Sequence, residues 1–568
     1  MKKLTALLLA ALLIVTALPM MSVASADDVP TVTVLQPIYN NYDPSDTPIQ
    51  KEFLAKLNEF LGQEVNLDFT YYGSGDEYTQ KLNMAINAAD LTWDIAFVNG
   101  LSGSDGTYQG VSSLINGYGK DGYFVNIMDK KDIMPNVMMR IEQCGTLFDY
   151  MYDENGDLYF VPNFTENQGG TLDAARRGPI IDCTVFDENN IPYPTDLESL
   201  YEGAKKLKEI YPDSIPIVPY GSGAASAMSG MSETAFATRS SGNLGFDGTE
   251  YVVEAISDEF RAMLSYGHKL YAEGLIAADY AAWDNDMNVA STTNGNSFIF
   301  FGIWYPSIDE DGYSHSNSFG IEGHQYANIR YALAENEGGW WEMRGSMKDI
   351  SATPYNTLCI NANATDVDLS CKIVDYLFTE ECHNLLAMGI QGESWDYDED
   401  GLKVFINEYA NATGSTPEEN PKLALGLQSG SCASGIMSNF GVSNTNGLSV
   451  KTRFVMPDGT IEVANRYLFA KEHWTYDNME PENCVDVSLP SISQEDYAEV
   501  SEIGGVLWTY VSECMGKFYQ GEMDVDDDDT WNAYVEQCKA YNCDRLCEIY
   551  NAYIEGIDFY PGKTAAAE

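Results

Sequence analysis

The stretch that decides the fold reads Phe378-Thr-Glu-Glu-Cys-His-Asn-Leu-Leu-Ala-Met-Gly-Ile-Gln-Gly-Glu-Ser-Trp-Asp-Tyr-Asp-Glu-Asp-Gly401. Apolar residues recur at helical spacing before and within its first half, at Ile373, Leu377, Leu385 and Met388. Gly389 follows them where a helix would end, because glycine adopts a positive φ at little cost. Asp400-Gly401 is typical of a hairpin turn. The stretch therefore predicts a helix, a glycine turn and a hairpin.

The amino-terminal part alternates between strand and helix patterns. We predict strands and helices in alternation at residues 31–36, 49–61, 65–70, 78–88 and 93–98, with Gly62 ending the first helix. This order predicts a parallel sheet covered by helices. Ligands of such sheets meet the loops at the carboxyl ends of the strands. Tyr39, Asn40 and Asn99 are therefore candidate contacts, with ordinary turn chemistry as the alternative.

Further turns and caps continue the pattern. Residues 153–157 predict a hairpin turn into the apolar run 158–162, and the alternative of an EF-hand calcium loop lacks its glutamate at position 12. The capping box Thr195–Glu198 predicts a helix start. Residues 297–305 predict a strand that breaks near its end, and residues 328–334 predict a further strand that returns to the first part of the chain.

Taken in order, these segments resemble the extracellular solute-binding proteins of family 1, the ligand-capturing subunits of ABC importers. Residues 379–392 resemble the "thr-glu-glu-gly" helix and the "gly-ile-glu-gly" turn of that family, with Cys382 and Gln391 as departures. The other matching segments are 153–162, 192–195, 270–276 and 521–550, of which the last resembles oligosaccharide-binding members.

The resemblance implies an α/β, two-lobed periplasmic-binding-protein-like fold of type 2. Each lobe would be a mostly parallel sheet flanked by helices, with extra carboxyl-terminal helices. A signal peptide would occupy residues 1–26. Lobe 1 would comprise residues 27–165 and 333–395, and lobe 2 residues 166–332 and 396–568.

The resemblance also implies a function. The chain would capture an oligosaccharide between its lobes by hinge closure and deliver it to ABC transporter permease subunits. It would act as a monomer, without a cofactor and without being an enzyme. In sugar-binding members the break in the strand predicted at 297–305 carries an aromatic residue that stacks on the ligand, and Trp304 and Tyr305 lie at this break. The predicted ligand contacts are Tyr39, Asn40, Asn99, Asn163, Arg177, Tyr220, Trp304, Tyr305, Trp340 and Trp395.

The amino terminus predicts export. Lys2 and Lys3 precede the apolar run 4–18, and Ala24-Ser-Ala26 is a small-residue cleavage signal. We therefore expect a secreted protein, on the extracellular face of the membrane or in the periplasm. Many surface-bound members of the family carry a lipid-accepting cysteine after the signal, but the first cysteine here is Cys144.

Charge and cysteine content exclude some classes. The net charge of −55 argues against nucleic acid and anionic lipid, which need a basic surface. The 11 cysteines are an odd number and their pairing is left open. Cys538, Cys543 and Cys547 lack a Cys-x-x-Cys pair, so a metal site there is disfavoured. The acidic run 524–529 predicts the amino-terminal end of a helix, with a calcium-binding site as the alternative.

Two other function classes stay open. The sequence has neither a Gly-x-Ser-x-Gly elbow nor a His-Glu-x-x-His motif, and no two of its five histidines have metal-ligand spacing. A secreted glycoside hydrolase needs only two carboxylates, which 86 acidic residues could hide. A surface structural protein is a further alternative. The 37 tyrosines and nine tryptophans suit sugar rings, although peptides would also suit such a cleft.

Overall fold

The computed structural model contains many strands and helices arranged around two hydrophobic cores. It describes residues 29–36, 46–71, 75–98, 108–144, 148, 151–153, 155–166, 179–219, 223–247, 249–301, 320–338, 350–399, 401, 403–410, 412, 416–427, 451–473 and 492–554. The predicted signal peptide lies outside these residues.

The strands are β1 Thr31–Gln36, β2 Asn66–Tyr71, β3 Ile95–Val98, β4 Val161–Glu166, β5 Ile180–Asp182, β6 Ile217–Val218, β7 Leu244–Phe246, β8 Tyr251–Val253, β9 Ile299–Phe300, β10 Tyr326–Asn328, β11 Ile350–Ile360, β12 Trp395–Tyr397, β13 Lys403–Phe405, β14 Lys451–Val455 and β15 Ile461–Asn465. The α-helices are α1 Pro48–Leu61, α2 Gly75–Asn87, α3 Tyr108–Lys120, α4 Pro135–Cys144, α5 Cys183–Glu188, α6 Leu197–Ile210, α7 Ser232–Phe236, α8 Asp258–Ala272, α9 Asn285–Thr293, α10 Arg330–Glu337, α11 Val367–Leu377, α12 Glu380–Met388, α13 Pro421–Leu425, α14 Arg466–His473, α15 Gln494–Gln520, α16 Asp528–Ala540 and α17 Cys543–Asn551. Short 3-10 helices occupy Ile127–Ile133, Ala224–Met228, Glu254–Ile256, Tyr280–Ala282 and Asn407–Tyr409.

Two mixed sheets dominate the architecture, with more antiparallel neighbours than the mostly parallel sheets predicted from the sequence. The first has the order β2-β1-β3-β11-β4, in which only β11 runs against the others. The second has the order β15-β14-β10-β5-β9-β6, in which β5 and β15 are reversed. Parallel neighbours that are distant in sequence require helical crossovers, which explains why helices cover these sheets.

Local capping explains several helix boundaries. The Thr47 side chain accepts a hydrogen bond from the Gln50 N–H at 3.3 Å, and Pro48 begins α1. Gly62 ends this helix with a φ of 66°, as predicted. The capping box of α6 is formed by Asp196 and Ser199, one residue later than predicted, because Asp196 accepts from the Ser199 N–H at 2.8 Å.

The stretch 378–401 forms the predicted helix, turn and hairpin. Thr379 divides the helical pattern in two, since its hydroxyl accepts from the Cys382 N–H at 3.2 Å and so begins α12. Gly389 then ends α12 with a φ of 89°. Strands β12 and β13 pair in the antiparallel hairpin that follows.

One segment lies in a different lobe from the one predicted for it. The sequence assigns all residues from 396 onward to lobe 2, but Tyr409, Leu425 and Leu427 are buried in the first core. Residues 402–480 are polar and have no clear periodicity, so only tertiary contacts decide which lobe they join. The first lobe therefore extends at least to Leu427. By the same criterion its second segment begins later than the predicted residue 333, because Leu333 lies in the second core.

The predicted strand 328–334 is mostly helix. Strand β10 ends at Asn328, where the Asn328 side chain accepts from the Arg330 N–H at 2.8 Å as α10 begins. Leu333 of that helix lies in the second core. The apolar run was too short to distinguish a strand from a buried helix by periodicity alone.

The carboxyl-terminal helices α15, α16 and α17 pack on the second core, through residues such as Leu507, Tyr534 and Leu546. Helix α15 is 27 residues long. Among the residues that the structure describes, no helix combines the length and the apolar character needed to cross a bilayer.

An ion pair connects β5 to the segment before β10. His324 Nδ1 lies 2.8 Å from Asp182 Oδ2, and the Asp182 side chain is almost fully buried. The hydrogen bond to Asp182 raises the pKa of His324 and outweighs partial burial, which acts in the opposite direction.

This pair predicts a pH dependence of stability. A raised histidine pKa contributes stability that is complete below its unfolded value near 6.5, and the contribution is lost as pH rises through the folded value. We expect the wild-type free energy of unfolding to fall by up to about 1 kcal/mol relative to His324→Gln between pH 5.5 and 8. Urea unfolding of both proteins measures this difference, and parallel pH profiles would contradict it.

Candidate functional site

The carboxyl ends of the parallel strands define one edge of each sheet. In the first sheet, β1, β2, β3 and β4 all end at this edge, at Gln36, Tyr71, Val98 and Glu166. In the second sheet, β6, β9, β10 and β14 end at the corresponding edge. We call these the two binding edges, because ligands of open α/β sheets bind outside the carboxyl ends of the strands.

Two of the described polar side chains at the binding edges are buried. Gln36 and Asn328 are almost inaccessible to solvent. Gly426 lies against the amino-terminal end of α1, where a Cβ atom at this position would come within 2.6 Å of the Thr47 hydroxyl. Sequence reasoning did not select these three residues, although a polar residue that ends an apolar strand, as Gln36 does, is a usable signal.

Asn163 is a predicted contact that lies close to a binding edge. It lies in β4, three residues before the strand ends at Glu166, and pairs with Thr353 of β11. Its Oδ1 atom is buried and has no hydrogen-bond partner in the described structure. An unpaired buried acceptor costs about 1–3 kcal/mol. The predicted ligand contact of Asn163 stays a prediction.

Trp395 is the other predicted contact among the described residues. It is 2% exposed, and its indole N–H donates to the Gly389 carbonyl at 3.1 Å. Its ring makes an edge contact with Tyr397 at a centroid distance of 5.5 Å. These contacts give Trp395 a packing role beneath the hairpin, which differs from the ligand contact predicted for it.

The other eight predicted contacts lie outside the described residues: Tyr39, Asn40, Asn99, Arg177, Tyr220, Trp304, Tyr305 and Trp340. In sequence, six of them follow within five residues of the end of β1, β3, β6 or β9. Arg177 and Trp340 lie in the segments that connect the two sheets. Their role in binding stays a prediction.

The turn at residues 153–157 is closed by hydrogen bonds from its own backbone N–H groups to the Asp153 carboxylate. The Asp153 carboxylate accepts from the backbone N–H groups of Asn155 and Asp157 at 2.8 and 2.9 Å. The Lys120 ammonium lies 3.4 Å from its other oxygen. Burial alone would raise the pKa of Asp153, but these donors outweigh it and hold the pKa below its usual range. The turn itself is formed, but no strands among the described residues pair across it, because β4 begins only at Val161 and pairs with β11.

The remaining candidate ligand sets have structural roles. Asp527 of the acidic run caps α16 by accepting from the Thr530 N–H at 2.9 Å. Burial raises the pKa of the Cys538 thiol to about 12, which keeps it protonated. In the part of the chain that the structure describes, His, Cys, Asp and Glu side chains form no group of three or more that could hold a metal ion.

Comparison with solved structures finds similar folds that cover nearly the whole chain. A "HMO binding ABC-transporter associated Solute Binding Protein" from Bifidobacterium longum infantis matches with a TM-score of 0.57 and 16% identity, over 93% of this chain and 99% of that chain. The alginate-binding protein AlgQ2, solved without calcium ion, matches with a TM-score of 0.61 and 16% identity, over 93% and 98%. The substrate-binding protein FusA of S. pneumoniae, in complex with kestose, matches with a TM-score of 0.62 and 15% identity, over 95% and 100%.

The chain has the two-lobed fold of these solute-binding proteins. The predicted fold class is thereby confirmed. Neither a protein-family model nor a curated protein matches the sequence. At 14–16% identity to the solved structures, the fold is shared while most side chains differ.

Proposed function

We propose that this chain is the extracellular solute-binding subunit of an ABC importer and that it captures an oligosaccharide between its two lobes. The observation that carries the proposal is the two-sheet architecture, which at least 93% of the chain shares with solved binding proteins of ABC transporters, one of them in complex with kestose. No chemical reaction on the ligand is part of this function.

The mechanism we propose is capture by closure. A ligand that contacts both binding edges favours the conformation in which both sets of contacts form, and hinge bending then buries it. The closed form would dock on the permease subunits. The oligosaccharide class is supported by aromatic and amide residues among the predicted contacts, because aromatic faces suit sugar rings and amides suit hydroxyls. A peptide ligand and glycoside hydrolysis are the alternatives.

The first test is thermal melting of residues 27–568 against a panel of oligosaccharides and peptides. A ligand at 100 times its Kd should add about 2.7 kcal/mol of stability. An oligosaccharide that raises the melting temperature and is recovered intact supports the proposal. A shortened oligosaccharide indicates a hydrolase, and a response to peptides alone replaces the ligand class.

We expect Trp304→Ala to abolish the shift produced by that oligosaccharide, because truncation removes the predicted stacking surface. The matched control is Phe60→Ala, which removes a half-exposed aromatic ring from α1, where no contact is predicted. Isothermal titration calorimetry of both variants checks the result. Equal affinity in the Trp304 variant and the wild type would contradict the predicted contact.

A further inference from the structure

Strands β4 and β11 leave the first sheet as a two-stranded ribbon. They pair from Asn163 and Thr353 to Glu166 and Ile350. The neighbouring strand β3 ends earlier, since its last residue pairs with position 357 of β11. Residues 163–166 and 350–353 therefore extend beyond the other strands, at the point where both strands connect in sequence to the second sheet. We call this pair the exit ribbon.

The hydrogen-bond ladder between β4 and β11 is interrupted where the exit ribbon leaves the sheet. Thr353 pairs with Asn163, but the next pair is Leu358 with Val161, so residues 354–357 face the single residue Pro162. An insertion of this kind bends the strand that carries it and ends regular pairing.

A proline on each strand accounts for the break. Pro162 of β4 and Pro354 of β11 are both buried, and neither has an N–H group to donate across the ladder. Prolines within sheets are largely confined to edges and bulges, which is where these two lie. Each of the two strands therefore lacks one backbone N–H donor at the break.

Asn163 lies beside this break. Its buried Oδ1 has no hydrogen bond in the described structure, although its backbone belongs to the last regular pair before the break. A buried acceptor without a partner is unfavourable, so a conformation that supplies a donor would be preferred.

We propose that the first lobe bends at the Pro162–Pro354 break, so that the exit ribbon moves with the second lobe, and that Asn163 Oδ1 gains a donor in the bent, ligand-bound form. The bend is thus located inside the edge of the first sheet, at a described break. The ligand-driven part rests on the proposed function, whereas local opening at the break does not.

Hydrogen exchange of the full chain tests local opening without a ligand. We expect amides at 163–166 and 350–353 to exchange at least about tenfold faster than those at 357–360, because the ribbon can open without unfolding the sheet. Equal rates in both sets would overturn the proposal.

The same measurement with an oligosaccharide that raises the melting temperature tests the coupling. We expect ribbon exchange to slow when the ligand binds. If that ligand binds but leaves ribbon exchange unchanged, the bend that accompanies binding is not at this break, and the proposed function is not contradicted. If no oligosaccharide binds but the ribbon opens locally, the proposed function is contradicted, whereas the flexibility of the break is supported.

Two variants test the break itself. Deletion of residues 354–356 combined with Pro162→Val restores a continuous ladder, and we expect ribbon exchange to slow to the rate of residues 357–360. Because a deletion can prevent folding, Pro162→Ala with Pro354→Ala restores both N–H groups without changing length and should slow ribbon exchange at least about threefold. Pro135→Ala, at the first residue of α4, is the matched control and should leave the ribbon unchanged. Unaltered exchange in a folded ladder-restoring variant would refute the role of the break.

Discussion

Replacement of Asp375 by alanine is expected to lower the free energy of unfolding by about 3 kcal/mol or more. Asp375 lies in α11 and is fully buried, yet its carboxylate binds the start of α4. It accepts from the Asn136 and Val137 N–H groups at 2.8 and 2.9 Å and from the Asn136 side-chain amide at 2.7 Å. The first N–H groups of a helix have no partner within the helix, and Met134 before α4 has no polar side chain to cap them.

Two effects oppose each other at Asp375. Burial favours the neutral acid and raises the pKa of the carboxyl, whereas the three donors favour the charged form. Alanine removes the carboxylate and leaves the buried Val137 N–H and the partly buried Asn136 donors without this acceptor, and a buried donor without a partner costs about 1–3 kcal/mol. Leaving these donors without an acceptor therefore costs more free energy than is gained by removing a buried charge.

Urea unfolding followed by circular dichroism measures this effect. The matched control is Asp366→Ala, which removes an exposed cap at the start of α11 and should cost about 1 kcal/mol. Asp375→Asn keeps one acceptor oxygen and should fall between the two. A loss in Asp375→Ala no larger than in Asp366→Ala would show that the connection between α11 and α4 contributes little.

The elements that local sequence determines were predicted well. Strand β1 coincides with the predicted residues 31–36, and α1 begins one residue before its predicted start and ends where Gly62 requires it. Alternation, helical spacing and glycine placement are local signals, so they can be read without knowing which parts of the chain meet.

The features that depend on distant contacts were not predicted. Asp375 is a single acidic residue within an apolar helix, and nothing in the sequence indicates that its partners lie 238 and 239 positions away. The assignment of residues 403–427 to the first lobe depends on contacts such as that between Gly426 and Thr47. For the site, the order of the strands predicted which loops lie at the binding edges. The sequence did not indicate whether an aromatic ring is exposed or buried, and Trp395 is buried with its indole N–H bonded within the fold.

Gly389→Ala is the second substitution with a large expected effect, a loss of about 3–5 kcal/mol in the free energy of unfolding. Gly389 has a φ of 89° and a ψ of −141°, a conformation that is costly for any residue with a Cβ atom. Such backbone strain costs on the order of 1–3 kcal/mol.

Packing adds to this cost. A Cβ atom at Gly389 would overlap the Ser394 hydroxyl oxygen and come within 2.8 Å of a Leu425 methyl carbon. Ser394 cannot move freely, because its hydroxyl donates to the Met388 carbonyl at 2.8 Å. Overpacking of this kind costs about 1–3 kcal/mol, which adds to the backbone strain.

Gly392→Ala separates the two contributions. Gly392 has a similar φ of 81°, but a Cβ atom there would have no described atom within 4 Å, so only backbone strain of about 1 kcal/mol is expected. Leu425→Ala in the Gly389→Ala background should recover part of the packing cost, with a coupling of at least about 0.5 kcal/mol between the two sites. Urea unfolding of the single and double variants measures that coupling. Strict additivity would mean that Leu425 does not contact the turn, and it would also remove one of the contacts that assign residues 403–427 to the first lobe.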